Sequence, residues 1–181
     1  MKTYFALLRG INVGGKNKLL MRELKQVLDK IGLNQVTTYI QSGNVVFQST
    51  HKTTVELRIL IEESITKEFG LRVTTLVITL DQLIELESAN PYHLQNIEIE
   101  KKYGCFTNAM ATDEGLEKLA RFNIKNDEYI VQNQFIYLNY ANRAGNSKLT
   151  TNLIENKLNL KATTRNWKTI CQLIEIGKAM A

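Results

Sequence analysis

The chain has 181 residues, of which 44% are hydrophobic and 23% are charged, and this is the composition of an ordinary globular protein. Such a length excludes a miniprotein that needs disulfides or a metal to fold, and such a composition excludes a disordered chain. The longest apolar runs are far shorter than a membrane span, and the first residues read directly as a strand, so we predict a cytoplasmic protein with no membrane segment.

Cysteine and histidine usage indicates neither a metal nor a redox centre. Cys105 falls in a strand pattern and Cys171 in a helix pattern, without the C-x-x-C spacing of redox and zinc sites, so both are predicted to be free thiols. The two histidines, His51 and His93, have no third ligand near them in the sequence. We therefore expect no metal and no cofactor.

Positive charge collects at the two ends of the chain. The formal net charge is +5, and residues 1–25 alone carry six cations against one carboxylate. Residues 140–181 carry seven cations against two carboxylates, which leaves the segment between these ends at −5. If the two ends meet in space they concentrate anions there; the alternative is that both are solvated faces.

The first half of the chain reads as strand, helix, two strands, helix and strand. Strands are predicted over the apolar or β-branched stretches 3–9, 36–40, 45–47 and 71–79. The first helix is predicted to end at Gly32 and the second at Gly70, while residues 41–44 have the composition of a hairpin turn. The residues at helical spacing that mark the second helix are Val55, Ile59, Ile61 and Ile65. Asp81 is predicted to cap a short third helix.

From residue 101 the same order repeats. Strands are predicted over residues 103–108, 129–131, 135–140 and 163–165. Thr112 and Ser147 are predicted helix caps, and the last amphipathic helix contains Trp167, which we interpret as a core residue. A β-α-β-β-α-β order that occurs twice is typical of two tandem ferredoxin-like (split βαβ) subdomains with antiparallel sheets, an α+β fold. The predicted boundaries are 1–80 for the first subdomain, 81–100 for a connecting helix and linker, and 101–181 for the second subdomain.

The most distinctive segment is LRGINVGGKNK, residues 8–18. Its glycines leave backbone N–H groups free to approach a ligand, and the flanking cations favour a phosphate or carboxylate. The segment fits the G-x-x-x-x-G-K pattern of a P-loop, but Asn17 replaces the Ser or Thr that ligates Mg²⁺, so we do not expect a nucleoside triphosphatase. A loop that only connects strand to helix is the alternative. The candidate ligand-binding residues of this segment are Arg9, Asn12, Gly14, Gly15, Lys16 and Lys18.

The second candidate segment is TYIQSGNV, residues 38–45. Gly43 and Asn44 tolerate positive φ angles, so a tight turn is sufficient to explain them. The functional alternative is that Gln41, Ser42 and Asn44 supply uncharged hydrogen-bond partners for a ligand of the basic loop. Ser42 has no histidine or lysine beside it in the sequence to act as a base, and a nucleophilic role is therefore not expected.

The third candidate consists of two predicted helix starts in the second half, GNSK at 145–148 and TTRNWKT at 163–169. Each combines a polar cap with a cation at a place where unpaired N–H groups attract anions. Ordinary capping explains Ser147 and Asn166 equally well. The ligand-binding candidates here are Ser147, Lys148, Arg165 and Asn166.

These segments also carry a family resemblance. Residues 7–17, Met21, Leu24, residues 38–47, Ser147-Lys148 and residues 164–167 resemble the bacterial family catalogued as domain of unknown function 1697. The resemblance extends over essentially the whole chain and is most specific in the first two segments. It implies a small bacterial cytoplasmic protein with two ferredoxin-like subdomains, and it implies no activity.

We therefore expect a protein that binds an anionic partner, either a phosphorylated or otherwise anionic small molecule or the phosphate backbone of a nucleic acid. Sequence-specific RNA binding is less favoured, because the third strand lacks the paired stacking aromatics of RNA-binding modules. The alternatives are a group-transfer enzyme that acts on such a ligand and a regulatory or assembly protein. The sequence leaves catalysis and the oligomeric state open.

Overall fold

The computed structural model describes residues 1–15, 17–50, 52–93, 95 and 97–180. The chain forms two compact units. Unit 1 contains residues 1–85 and the C-terminal segment from residue 172, and unit 2 contains residues 86–171. The final ten residues, which the sequence pattern assigned to the second half, thus group with the first.

Unit 1 is built on a four-stranded antiparallel sheet with the strand order β2-β3-β1-β4. Its strands are β1 (Lys2–Leu8), β2 (Asn34–Tyr39), β3 (Asn44–Ser49) and β4 (Thr75–Thr79). Its helices are α1 (Met21–Lys30) and α2 (Thr54–Phe69), followed by α3 (Leu80–Ser88), which continues into unit 2. The central position of β1 between β3 and β4 is the arrangement of a split βαβ fold.

The strand β1 is buried on both faces because alternate residues meet different partners. Tyr4, Ala6 and Leu8 belong to the core cluster under α1 and α2. Phe5 points to the opposite face and is fully buried. It lies against the last helix, α6 (Trp167–Met180), where a Cβ atom on Gly177 would come within 2.6 Å of the Phe5 ring. Glycine at this position therefore permits the close approach of helix and sheet.

Unit 2 repeats the arrangement with the strand order β6-β7-β5-β8. Its strands are β5 (Lys102–Thr107), β6 (Glu128–Gln132), β7 (Phe135–Asn139) and β8 (Ala162–Asn166). Its helices are α4 (Asp113–Ala120), α5 (Thr151–Leu158) and the first part of α6, and two short 3₁₀ turns occupy Ile99–Lys101 and Ala144–Asn146. The predicted α+β class with two ferredoxin-like antiparallel sheets is confirmed.

An aromatic cluster fills one face of the second sheet. The rings of Phe135 and Tyr137 are 4.6 Å apart, and Trp167 packs against both. Trp167 is only 3% exposed, which confirms that it is a core residue rather than a platform for a ligand. Gly104 leaves room for this cluster, because a Cβ atom there would lie 2.4 Å from the Phe135 ring.

Some helix caps differ from those that the sequence predicted. Thr112 caps α4 as predicted, by accepting a hydrogen bond from the Gly115 N–H. The α5 cap is Thr150 rather than Ser147. The α3 start is capped by the Thr79 hydroxyl, which accepts from the Gln82 N–H at 3.2 Å, so Asp81 lies inside the helix rather than at its cap. In the two corrected cases a threonine two or three residues away from the predicted cap supplies the acceptor, and local sequence does not rank such neighbouring acceptors.

Two further local predictions need correction. Strand β4 begins at Thr75, not at residue 71. In α2, Val55 and Ile59 are 56% and 42% exposed, while Leu57 and Ser64 share the buried face with Ile61 and Ile65. Apolar residues on both sides of this helix made its buried face ambiguous in the sequence. Gly70 ends the helix in the left-handed conformation, as predicted.

Cys105 is buried in the second sheet, and neither Cys105 nor Cys171 forms a disulfide in the described part of the chain. No helix within the described ranges has the length and apolarity needed to cross a membrane.

Candidate functional site

We call the segment of residues 10–15, 17 and 18 the glycine loop, and five of these eight residues have left-handed backbone. Gly10, Gly14 and Gly15 have φ angles of 67°, 58° and 77°. Asn12 and Asn17 adopt the same conformation, with φ angles of 54° and 47°. Side chains other than glycine and asparagine rarely adopt this conformation. The sequence of the loop therefore suits its backbone, and its tip at Val13, Gly14 and Gly15 is exposed.

The Asn12 side chain holds the glycine loop in place. Its Nδ2 donates hydrogen bonds to the carbonyls of Leu19 at 2.8 Å and Gln41 at 2.9 Å. Its Oδ1 accepts a hydrogen bond from the Leu19 N–H at 2.8 Å. Both N–H donors of the amide are thus used by the protein. Asn12 thus positions the loop rather than offering its amide to a ligand, and it joins the loop to the turn after β2.

That turn, residues 40–43, stores backbone strain. Ile40 has a φ angle of 50°, although a β-branched side chain is a poor fit to the left-handed region. The sequence predicted positive φ angles at Gly43 and Asn44; Gly43 adopts one, with φ of 79°, but Asn44 is an ordinary residue of β3. Sequence reasoning missed Ile40, because no composition rule places isoleucine in this conformation.

Tight packing fixes the identity of Gly43. A Cβ atom on it would lie 2.8 Å from the Leu8 Cβ and 2.9 Å from the Ile11 Cδ1. The Gly43 carbonyl also accepts a hydrogen bond from the Leu8 N–H at 2.8 Å. Asn44 is fully buried and donates to the Tyr39 carbonyl and to the Ser42 hydroxyl, both at 3.1 Å. The turn and the glycine loop are therefore one connected structure.

The cations of this region have few carboxylates near them in the chain. Arg9 is partly exposed and Lys18 is exposed, and the first carboxylate after them is Glu23. Lys16, a predicted ligand-binding residue, lies outside the described residues. Gln41 is exposed, and Ser42 is partly exposed. The structure thus brings the first two candidate segments together in unit 1.

In unit 2, Ser147 and Lys148 line a polar pocket of about 100 Å³. The pocket lies between the segment before β6 and the segment that follows β7. Its other charged residues are Lys125, Asp127 and Arg143. We call it the Asp127 pocket.

Asp127 ties the two walls of this pocket together. Its Oδ1 accepts a hydrogen bond from the Ala141 N–H at 3.0 Å, and its Oδ2 accepts from the Ser147 hydroxyl at 2.5 Å. The Ser147 oxygen in turn accepts from the Leu149 N–H at 2.8 Å. Asp127 was not a candidate from sequence, since its partners are 14 and 20 residues away.

A buried tyrosine supports the same wall. Burial raises the pKa of Tyr140, and the nearby Cys105 and Asp127 act in the same direction. The phenol is therefore neutral and donates a hydrogen bond to the Leu149 carbonyl at 3.0 Å. This bond fixes the chain just before α5.

Arg165 and Asn166 lie on β8 and do not line the Asp127 pocket. Arg165 is 7% exposed, and its Nη1 donates to the Thr163 hydroxyl at 2.7 Å and to the Thr164 carbonyl at 2.9 Å. The Asn166 Oδ1 accepts from the Lys168 N–H at 2.9 Å, which confirms Asn166 as a helix cap. Its Nδ2 donates to the Glu100 carbonyl.

The candidate residues thus fall into two groups, one in each unit. Whether both groups line one cleft stays a prediction of the sequence. Across the described ranges, no three histidine, cysteine, aspartate or glutamate side chains come together in a way that could hold a metal ion.

Comparisons with known proteins place the chain in a family. No curated protein matches it. A solved structure of a conserved bacterial protein from Streptococcus pneumoniae is similar over 97% of this chain and 98% of that chain, with a TM-score of 0.76 and 24% sequence identity. That likeness shows the fold. Residues 1–137 match the family described as "Protein of unknown function (DUF1697)", and the chain therefore belongs to that family.

Proposed function

We propose that the protein binds a phosphate-bearing anion at the glycine loop of unit 1. The observation that carries the proposal is an exposed left-handed backbone at Gly14 and Gly15 that Asn12 holds in one shape. Both residues lie in a turn, and consecutive backbone N–H groups of turns form anion-binding concavities in other proteins. The hydrogen bonds of Asn12 restrict the described part of the loop, which lowers the entropy that a ligand loses when its site is ordered.

The positive charge near the loop and the backbone strain at Ile40 both support anion binding at this site. Arg9 directly precedes the loop and Lys18 ends it, and positive charge at these two positions attracts an anion. The strained Ile40 adjoins Gln41, whose carbonyl accepts a hydrogen bond from Asn12. Left-handed backbone at a β-branched residue costs on the order of 1–3 kcal/mol, and such strain is concentrated at functional sites.

The finer assignment to a bacterial cytoplasmic protein is part of this proposal. It rests on the composition and on what the family resemblance implies. The ligand class includes nucleotides, phosphorylated metabolites and nucleic-acid backbones, because all of them present phosphate oxygens to backbone N–H groups and cations.

The test is a ¹H–¹⁵N NMR titration of the full-length protein with pyrophosphate, with ATP and with a single-stranded oligonucleotide, at low ionic strength. We expect saturable shifts of the Gly14 and Gly15 amides. Lys18→Ala should weaken binding by about tenfold, which corresponds to ~1.4 kcal/mol. The matched control is Lys2→Ala, which removes the same charge at the other end of β1 and should leave the affinity unchanged.

A second matched pair of variants tests whether the backbone of the glycine loop takes part in binding. Gly15→Ala and Gly70→Ala each place a Cβ atom in open space at a positive φ angle, 77° and 66° respectively, so they carry similar strain. Only Gly15→Ala should weaken binding. If none of the three ligands produces saturable shifts in the loop, or if Gly70→Ala is as harmful to binding as Gly15→Ala, the glycine loop is a connection and the proposal is wrong.

A further inference from the structure

The Asp127 pocket in unit 2 has the chemistry of a second anion site. Lys125, Arg143 and Lys148 line it together with a single carboxylate, so its lining carries two positive charges in excess. Within the chain that the structure describes, no ion pair involves any of these three cations. Elsewhere in the same unit Lys118, Arg121 and Lys168 each contact a carboxylate. The pocket is therefore a local excess of unneutralised positive charge.

The single carboxylate is already engaged by the protein. Both Asp127 oxygens accept hydrogen bonds, from the Ala141 N–H and the Ser147 hydroxyl. Asp127 thus acts as a positioning residue that brings the two walls together, and it has no ion-pair contact with the three cations. Because the lining carries net positive charge, it attracts an anion into the pocket.

Size and polarity restrict the ligand. The volume of about 100 Å³ is well above the ~10–15 Å³ that a cavity needs to hold one water molecule. Asn126, Asn142 and Asn146 contribute amides that donate hydrogen bonds to oxygen acceptors. Such a pocket has room for a tetrahedral oxyanion. Arginine and lysine together with neutral amides are the donors that phosphate oxygens accept from.

We propose that the Asp127 pocket binds a phosphate group, either as the free anion or as the terminal monoester of a larger molecule that extends into solvent. The pocket belongs to unit 2, and the proposal is independent of the glycine loop of unit 1. Lys148 and Arg143 supply the charge, Lys125 closes the opposite wall, and the Asp127–Ser147 hydrogen bond keeps the walls at a fixed separation.

The experiment is an NMR titration of the full-length protein with inorganic phosphate against sodium chloride of equal ionic strength. We expect saturable shifts in the amides of residues 125–127 and 141–148. Lys148→Ala and Arg143→Ala should each weaken the affinity by about tenfold. Both side chains are exposed and form no ion pair in the described chain, so the variants should fold normally, which the unchanged dispersion of the spectrum verifies. Lys161→Ala, an exposed lysine of the same unit outside the pocket, is the matched control.

Titrations with further ligands show whether the pocket binds free phosphate or a phosphate monoester. Saturation by inorganic phosphate alone assigns the free anion, and saturation also by a sugar phosphate, but not by the unphosphorylated sugar, assigns a monoester. Shifts that grow linearly and equal those caused by chloride overturn the proposal, as does an equal loss of affinity in Lys161→Ala. Lys18→Ala and Gly15→Ala should leave this titration unchanged, so failure at the glycine loop and failure at the Asp127 pocket are distinguishable.

Discussion

At the scale of single residues, asparagine and aspartate side chains hold the loops of both units. Asn12 makes three hydrogen bonds to backbone groups of two other segments, and Asp127 accepts two from the segment after β7. Sequence reasoning identified Asn12 as a candidate but assigned it to a ligand. Its partner Gln41 lies 29 residues away, and local sequence contains no signal for a contact of that separation. The residue type was predictable, whereas its role depended on a tertiary contact.

Replacement of Asn12 should destabilise the protein more than replacement of Asn17. Both asparagines have left-handed backbone, so Asn→Ala carries similar strain at each position. Asn17 donates only one side-chain hydrogen bond, to the Gly10 carbonyl at 3.1 Å. With about 1 kcal/mol for each additional hydrogen bond, we expect Asn12→Ala to lower the free energy of unfolding by ~2 kcal/mol more than Asn17→Ala. Urea denaturation measures this difference, and equal effects of the two variants would show that Asn12 does not hold the loop.

Replacement of Ile40 by glycine should stabilise the protein, whereas replacement of Asn12 should destabilise it. Ile40→Gly removes a side chain that is 49% exposed and relieves the left-handed strain, so we expect a gain in the free energy of unfolding of about 1 kcal/mol. Ile130→Gly is the control, because Ile130 is 41% exposed but lies in the extended strand β6, where glycine destabilises. Thermal unfolding of both variants measures the two changes in stability. A loss of stability in Ile40→Gly would mean that packing of the isoleucine outweighs the strain.

At the scale of secondary-structure elements, the helix caps and turns were less predictable from sequence than the strands and helices that they join. The order of strands and helices followed from apolar periodicity, because each element has one buried face and its period is visible in sequence. The caps were harder to predict. The capping box of α2, in which Thr53 and Glu56 satisfy each other's backbone N–H groups, was not predicted. The turn at Gly43 was predicted, but not its tight packing against Leu8 and Ile11.

Gly43→Ala should be more damaging than Gly70→Ala. Both carry left-handed strain, but only Gly43 has atoms within 3 Å of the new Cβ position. Overpacking of this kind adds roughly 1–3 kcal/mol to the cost of the strain. We expect the midpoint of urea unfolding to fall clearly further in Gly43→Ala. Equal midpoints would indicate that the turn moves freely to accommodate the methyl group.

The capping box of α2 predicts a specific pH dependence. The pKa of Glu56 is lowered from 4.5, first by the hydrogen bond from the Thr53 backbone N–H and then by that from its side chain. Because the folded pKa is the lower one, the contribution of Glu56 to stability is full above 4.5 and is lost as the pH falls through the folded value. Glu56→Gln should therefore lose less stability than the wild type on acidification through this range. Glu63→Gln removes a carboxylate from the exposed side of the same helix and is the control variant. If Glu56→Gln keeps the wild-type dependence of stability on pH, the capping box has no linkage to pH.

At the scale of the whole molecule, the chain completes its first unit with its last residues. Residues from 172 onward group with residues 1–85, and the Gln48 side chain donates a hydrogen bond to the Met180 carbonyl at 2.5 Å. The covered face includes Phe5, which is fully buried. Unit 1 therefore depends on contacts between residues that are far apart in the sequence, whose loop closure is entropically costly.

A chain that ends at Cys171 should lose the stability of unit 1 selectively. Without the C-terminal half of α6, the face of the sheet that contains Phe5 is exposed to water. We expect hydrogen exchange of the β1 and β3 amides to accelerate by at least about tenfold relative to the full chain, with a smaller change in β5 and β7. A chain that ends at Met180 is the control. Uniform acceleration in all four strands would contradict a selective role for the segment.

The sequence by itself determined the elements, their order, the repeated split βαβ pattern and the family, because periodicity and turn composition are local properties of the chain. It also indicated which loops are basic. Only the tertiary structure decided that Asn12 and Asn44 are used internally, that Ser147 pairs with Asp127 rather than caps a helix, and that the C-terminal helix returns to the first unit. These facts depend on contacts between residues that are distant in the chain, and the choice among equivalent polar partners is made by packing, which no local pattern encodes.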